Sequence, residues 1–103
     1  MQVDLGAERV LAAERGGEMI AVEIKSFVGA SAMADLENAL GQFLLYRAAL
    51  KKLAPNRKLF LAIRDDVYDA IFAHPEGEFV REDGEIYLLI FNADREEIIE
   101  WIS

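Results

Sequence analysis

The sequence predicts an α/β core of αβββαβ type, on three observations. A glycine pair, Gly16-Gly17, divides two stretches of strand character, the second being Ala21-Val22-Glu23-Ile24-Lys25-Ser26-Phe27. A long segment of helical spacing follows Gly29. After it comes Lys58-Leu59-Phe60-Leu61-Ala62-Ile63, a near-continuous apolar run of the kind buried on both faces of a sheet.

In chain order, Gln2-Val3-Asp4-Leu5 reads as a short strand with Asp4 opposite in sense to Val3 and Leu5. Arg9 to Arg15 is extended or briefly helical, because Val10-Leu11-Ala12-Ala13 is too short for its period to decide. Gly16-Gly17 supplies the two positive-φ positions of a tight hairpin. Met19 to Val28 is the strand around which the rest is organised. Its side-chain period of two sends Glu23 and Lys25 out of one face about 7 Å apart, and Val22 and Ile24 to the other face and into the core.

Ser31 is the expected N-cap of a helix from Ala32 to about Leu53, where Met33, Leu36, Leu40, Phe43, Leu44 and Leu50 recur at helical spacing. Lys51 and Lys52 suit the negative end of its dipole, and Pro55 lies just beyond. Asn38, Gln42 and Tyr46 form a polar row at i, i+4 and i+8, the usual look of a solvent boundary. Asp66 to Phe72 reads as a short helix and His74-Pro75-Glu76-Gly77 as a loop. Phe79–Arg81 and Ile86–Phe91 flank Asp83-Gly84, which predicts a hairpin. The tail from Glu97 to Ile102, after a turn at Asn92-Ala93-Asp94, reads as an edge strand.

With 103 residues, 53% of them apolar and 29% charged, the chain is expected to form one globular domain spanning 1–103. The absence of cysteine excludes disulfides, thiolate metal sites and a thiol nucleophile. Apolar runs such as Tyr87–Phe91 are too short to span a bilayer and no secretory leader opens the chain, so a cytoplasmic protein with no membrane partner is expected. The net charge of −8 is unevenly divided. Residues 1–64 hold nine Lys/Arg against seven Asp/Glu, and residues 65–103 hold two against twelve. Phosphate backbones repel the second part; the basic group Arg47, Lys51, Lys52, Arg57 and Lys58 in the first is the surface suited to nucleic acid, or an ordinary solvated face. His74, alone in an acidic loop, reads as a surface residue, and Ser26 has no base beside it to make it a nucleophile.

A carboxylate and an ammonium side by side in an apolar strand are either an exposed salt bridge, stabilising by ~0–1 kcal/mol, or a cation site with Lys25 facing the anion. Asp4 enters from an earlier strand of the same meander, and with strands ~4.8 Å apart its carboxylate and that of Glu23 are within reach of one cation.

With Asp4 before it, Glu23-Ile24-Lys25 matches the D…ExK signature of the PD-(D/E)xK nuclease superfamily, and Gln42-Phe43-Leu44-Leu45-Tyr46 looks like the QxxxY motif of its RecB-like branch. Asp4-Leu5-Gly6-Ala7-Glu8-Arg9, Ala21 to Phe27, Ala39 to Arg47 and the Trp101-Ile102 tail together resemble the XisH-like family of excision-controlling factors in bacterial DNA rearrangement. The resemblance implies a restriction endonuclease-like core, a mixed central sheet with one long helix, and a small XisI-like protein partner. It also implies a helix before the strand bearing Asp4, which this chain, beginning at Met1, lacks. That leaves three alternatives: an exposed sheet face, completion by a second copy in a dimer, or a start codon placed too late.

From the resemblance, Asp4, Glu23 and the backbone carbonyl of Ile24 are expected to hold Mg2+ or Mn2+. Lys25 would orient the attacking water or stabilise phosphoryl oxygens, with Gln42 and Tyr46 positioning the site, in hydrolysis of a DNA phosphodiester. The alternatives are a non-catalytic module that docks its partner through the acidic half, and a small domain in which Glu23 and Lys25 are simply an ion pair.

Overall fold

Gly16 and Gly17 adopt φ of 55° and 86° in the computed structural model of the chain, the left-handed conformations that a two-residue hairpin needs. The residues described are 2–5, 8–27 and 31–103, with side chains from residue 10 onward. The hairpin joins β2 (Glu8–Arg15) to β3 (Glu18–Ile24) in antiparallel register, Leu11 opposite Val22 and Arg15 opposite Glu18. The stretch that periodicity left open is therefore strand. β1 (Gln2–Leu5) pairs with the far edge of β2, Asp4 opposite Arg9.

Among the described residues the sheet has six strands in sequential order, completed by β4 (Lys58–Arg64), β5 (Tyr87–Asn92) and β6 (Glu97–Ile102). β3, β4 and β5 run parallel, and the other pairings are antiparallel. This mixed sheet with one long helix is the α/β, restriction endonuclease-like arrangement that the motif order implies.

The long helix, α1 (Ala32–Leu53), begins as expected: Ser31 Oγ accepts from the amide of Ala34 at 3.2 Å. Leu36, Ala39, Phe43, Tyr46 and Leu50 bury against Ala21, Leu59, Leu61, Ile63, Leu88 and Ile90 to make the larger core. Ile20, Val22, Phe60, Ala62 and Leu89 form a smaller apolar layer on the opposite sheet face, edged by Tyr87, Phe91 and Trp101. β4, contributing to both layers, is buried on both faces as its apolar run predicts.

Two expectations about β3 are corrected. Val22 is buried, but in the smaller layer, and Ile24 is 58% exposed, because the larger core forms where α1 covers the sheet, on the face of Ala21 and Glu23. The strand also ends at Ile24, although the Lys25 amide extends the ladder by donating to Ala62 O at 3.1 Å. Val28, its expected end, lies outside the described residues.

After β4 the chain turns into α2 (Asp65–Val67), which continues as a wider π-type turn over Tyr68–Phe72. The expected loop at 74–77 and the first hairpin strand at Phe79–Arg81 are replaced by α3 (Pro75–Asp83), while the strand expected at Ile86–Phe91 is present as β5. Pro75 stands at the first position of α3 after an extended His74, and Glu76 and Glu78 lie in its first turn, where a helix favours them. Gly84 closes that helix at φ −80°, and Glu85 takes the positive φ of 52°. The Asp83-Gly84 pair is thus a helix end, not a hairpin turn. β6 is the edge strand expected of the tail, entered through a turn in which Asn92 Oδ1 accepts from the Arg95 amide at 2.9 Å. Among the described residues no helix is long and apolar enough to cross a membrane.

Candidate functional site

β3 delivers Glu23 to the helix-covered face of the sheet and Lys25 just past the strand's carboxyl end, beside the parallel β4. Ligands of open α/β sheets sit outside the carboxyl ends of the strands, so this is the edge where chemistry is expected. Glu23 is 2% exposed, the one charged side chain among the described buried residues, and solvent reaches neither of its carboxylate oxygens. Taking a carboxylate out of water costs several kcal/mol unless charge or hydrogen bonds compensate, so a buried Glu at this position is a specific feature of the strand and not a filler of the core.

Lys25 Nζ donates to Gln42 Oε1 at 3.2 Å, so the strand carrying Glu-x-Lys is tied to the helix carrying Gln-x-x-x-Tyr. Tyr46, one turn further along α1, is 7% exposed and belongs to the larger core. The row Asn38, Gln42, Tyr46 therefore runs from solvent into the protein rather than along its boundary, with Gln42 at the crossing point. The structure thus brings Lys25 and Gln42 into contact and sets Glu23 on the same sheet face.

Asp4 is placed only by its backbone. β2 lies between β1 and β3, so two strand spacings, roughly 10 Å, separate the Asp4 backbone from β3, and the two strands are not adjacent as expected. The Asp4 side chain lies outside the described residues. Ile24 contributes a backbone carbonyl at the end of β3 and an exposed side chain. Among the described residues no three His, Cys, Asp or Glu side chains gather as a metal cluster.

The carboxyl ends of the neighbouring parallel strands carry further carboxylates that no sequence motif marks. Asp65 follows β4 and accepts from Asn92 Nδ2 at 3.1 Å, linking the carboxyl ends of β4 and β5; Asp66 pairs with Arg64 Nε at 3.2 Å. An Asn ending an apolar strand was the available signal. The basic group lies elsewhere. Lys58 opens β4 opposite Ile20, five residues along β3 from Lys25 or roughly 17 Å, and approaches Glu18 at 3.7 Å. Arg47 gives its guanidinium to Gly84 O and Glu85 O at 2.9 and 3.0 Å, and Arg57 to Ala13 O and Ile20 O at 3.0 and 2.8 Å. Arg47 fastens the turn after α3, and Arg57 fastens its own segment to β2 and β3. His74 is exposed, as expected.

A family model described as XisH protein matches residues 1–99. The structure superposes on an XisH family protein from Nostoc punctiforme PCC 73102 with a TM-score of 0.87 at 36% identity, covering 100% of this chain and 83% of that one. It superposes on an fdxN element excision controlling factor protein from Anabaena variabilis with a TM-score of 0.86 at 35% identity, covering 100% of this chain and 82% of that one. No curated protein matches. On the family match and these two likenesses over its full length, the chain belongs to the XisH family.

Proposed function

We propose that this chain is an excision-controlling factor whose sheet edge carries a PD-(D/E)xK-type centre acting on DNA phosphodiesters. The observation that carries this reading is the Lys25–Gln42 hydrogen bond beside buried Glu23, which unites the two motifs on one face. The name of the Anabaena variabilis relative supports the excision role.

Glu23 and the Ile24 carbonyl, with Asp4, are hard oxygen donors of the kind that suit Mg2+ or Mn2+, and they would hold the ion. When bound, the ion would polarise the phosphodiester and activate water. Lys25, held by Gln42, presents a positive charge to the phosphoryl oxygens. Tyr46 braces the helix turn that carries Gln42. The test is calorimetric titration with Mg2+ and Mn2+ followed by plasmid cleavage. Loss of the binding heat in Glu23→Gln and of nicking in Lys25→Ala is expected. No heat and no nicking in the unaltered protein would overturn the reading.

A second reading is favoured by charge: twelve of the 19 acidic residues lie in 65–103, and the basic group stands at the far end of β3 from Lys25. Such a surface repels DNA and attracts a basic partner, so the chain would act by docking an XisI-like protein through its acidic half. Pull-down of such a partner at low but not high salt is its test.

A further inference from the structure

The first half of α1, the π-type turn and α3 enclose an open groove of about 540 Å³ lined by Met33, Leu36, Leu40, Ile71, Gly77 and Val80. Met33 is 62% exposed there, a flexible side chain suited to a contact surface. Met33, Leu40 and Leu44 recur at i, i+7 and i+11, so the apolar stripe continues along α1 for roughly 17 Å, about three helical turns. Glu37 on α1 and Glu76 on α3, both exposed, stand on the groove's rim.

Those two carboxylates decide what fits. A second copy docked by a twofold axis would oppose an acidic rim to an acidic rim. A basic partner would instead meet opposite charge on both walls, with the excess acid of residues 65–103 adding longer-range attraction. We propose that this groove seats an amphipathic helix of a partner protein, apolar along one face and flanked by lysines or arginines. The proposal gives the docking reading a specific surface, and it stands apart from the chemistry of Glu23 and Lys25.

The probe is a fluorescently labelled helical peptide with leucines at i, i+4, i+7 and i+11 and lysines at the flanks, compared with the same peptide carrying glutamates. Anisotropy should show binding of the lysine peptide in preference to the glutamate one. Met33→Asp, at an exposed position, should leave the circular dichroism spectrum unchanged and weaken binding about tenfold or more. Glu37→Lys with Glu76→Lys should invert the preference between peptides. Equal binding of both peptides, indifference to Met33→Asp and Val80→Asp, or no binding at all would overturn the proposal. So would a concentration-dependent dimer abolished by Met33→Asp, which would assign the groove to a second copy. None of these outcomes touches the salt-dependent pull-down, so the docking reading fails or survives by its own test.

Discussion

The Lys25 ammonium donates to the side-chain oxygen of Gln42 at 3.2 Å, fastening the end of the β3 ladder to the middle of α1. A double-mutant cycle should register this bond. Lys25→Met and Gln42→Ala are each expected to lower the unfolding free energy by about 1 kcal/mol in urea titration. The double variant should fall short of the sum by roughly 0.5–1 kcal/mol. Strict additivity would show that the contact contributes nothing.

If Glu23 is a ligand of the ion, divalent cations stabilise the folded chain by mass action, by about 2.7 kcal/mol at a concentration 100 times the dissociation constant. Mg2+ or Mn2+ is therefore expected to raise the melting temperature of the unaltered protein and to leave that of Glu23→Gln where it was. A rise of equal size in both proteins would place the ion elsewhere.

Gly77 is needed for packing. A Cβ there would fall onto the Ile71 carbonyl, 2.8 Å from its carbon and 2.9 Å from Phe72 Cα, all of it backbone. Gly77→Ala should cost about 3 kcal/mol or more, seen as a melting-temperature drop by circular dichroism. Gly41→Ala, which meets nothing within 4 Å, is the control and should be neutral or stabilising.

Arg57 ties the β2–β3 hairpin to the segment entering β4 through two backbone carbonyls. Arg57→Ala is expected to cost about 2 kcal/mol in chemical denaturation. Arg57→Lys should recover less than half of that, because an ammonium lacks the planar fork. Full recovery with lysine would show that charge alone matters.

Much of the frame was legible because its signals are local. Ser31 caps α1 through its own side chain, Gly16-Gly17 supply φ values that other residues resist, and both stay readable without any distant neighbour. The segment 74–85 failed for the converse reason. Asp-Gly suits a hairpin and a helix end alike, and Phe79 and Val80, 68% and 39% exposed, show no core-facing period. Pro75 was the neglected start signal.

For the site, the order of Glu23-Ile24-Lys25 and Gln42 to Tyr46 along the chain was the sequence's own contribution, and with it came the family resemblance. Which face is the interior, that Tyr46 is buried while Ile24 is not, and that β2 stands between Asp4's strand and Glu23's were decided only by the tertiary structure. A strand's alternation is symmetric: it says which residues share a face, and only the element that packs on the sheet says which face leaves water.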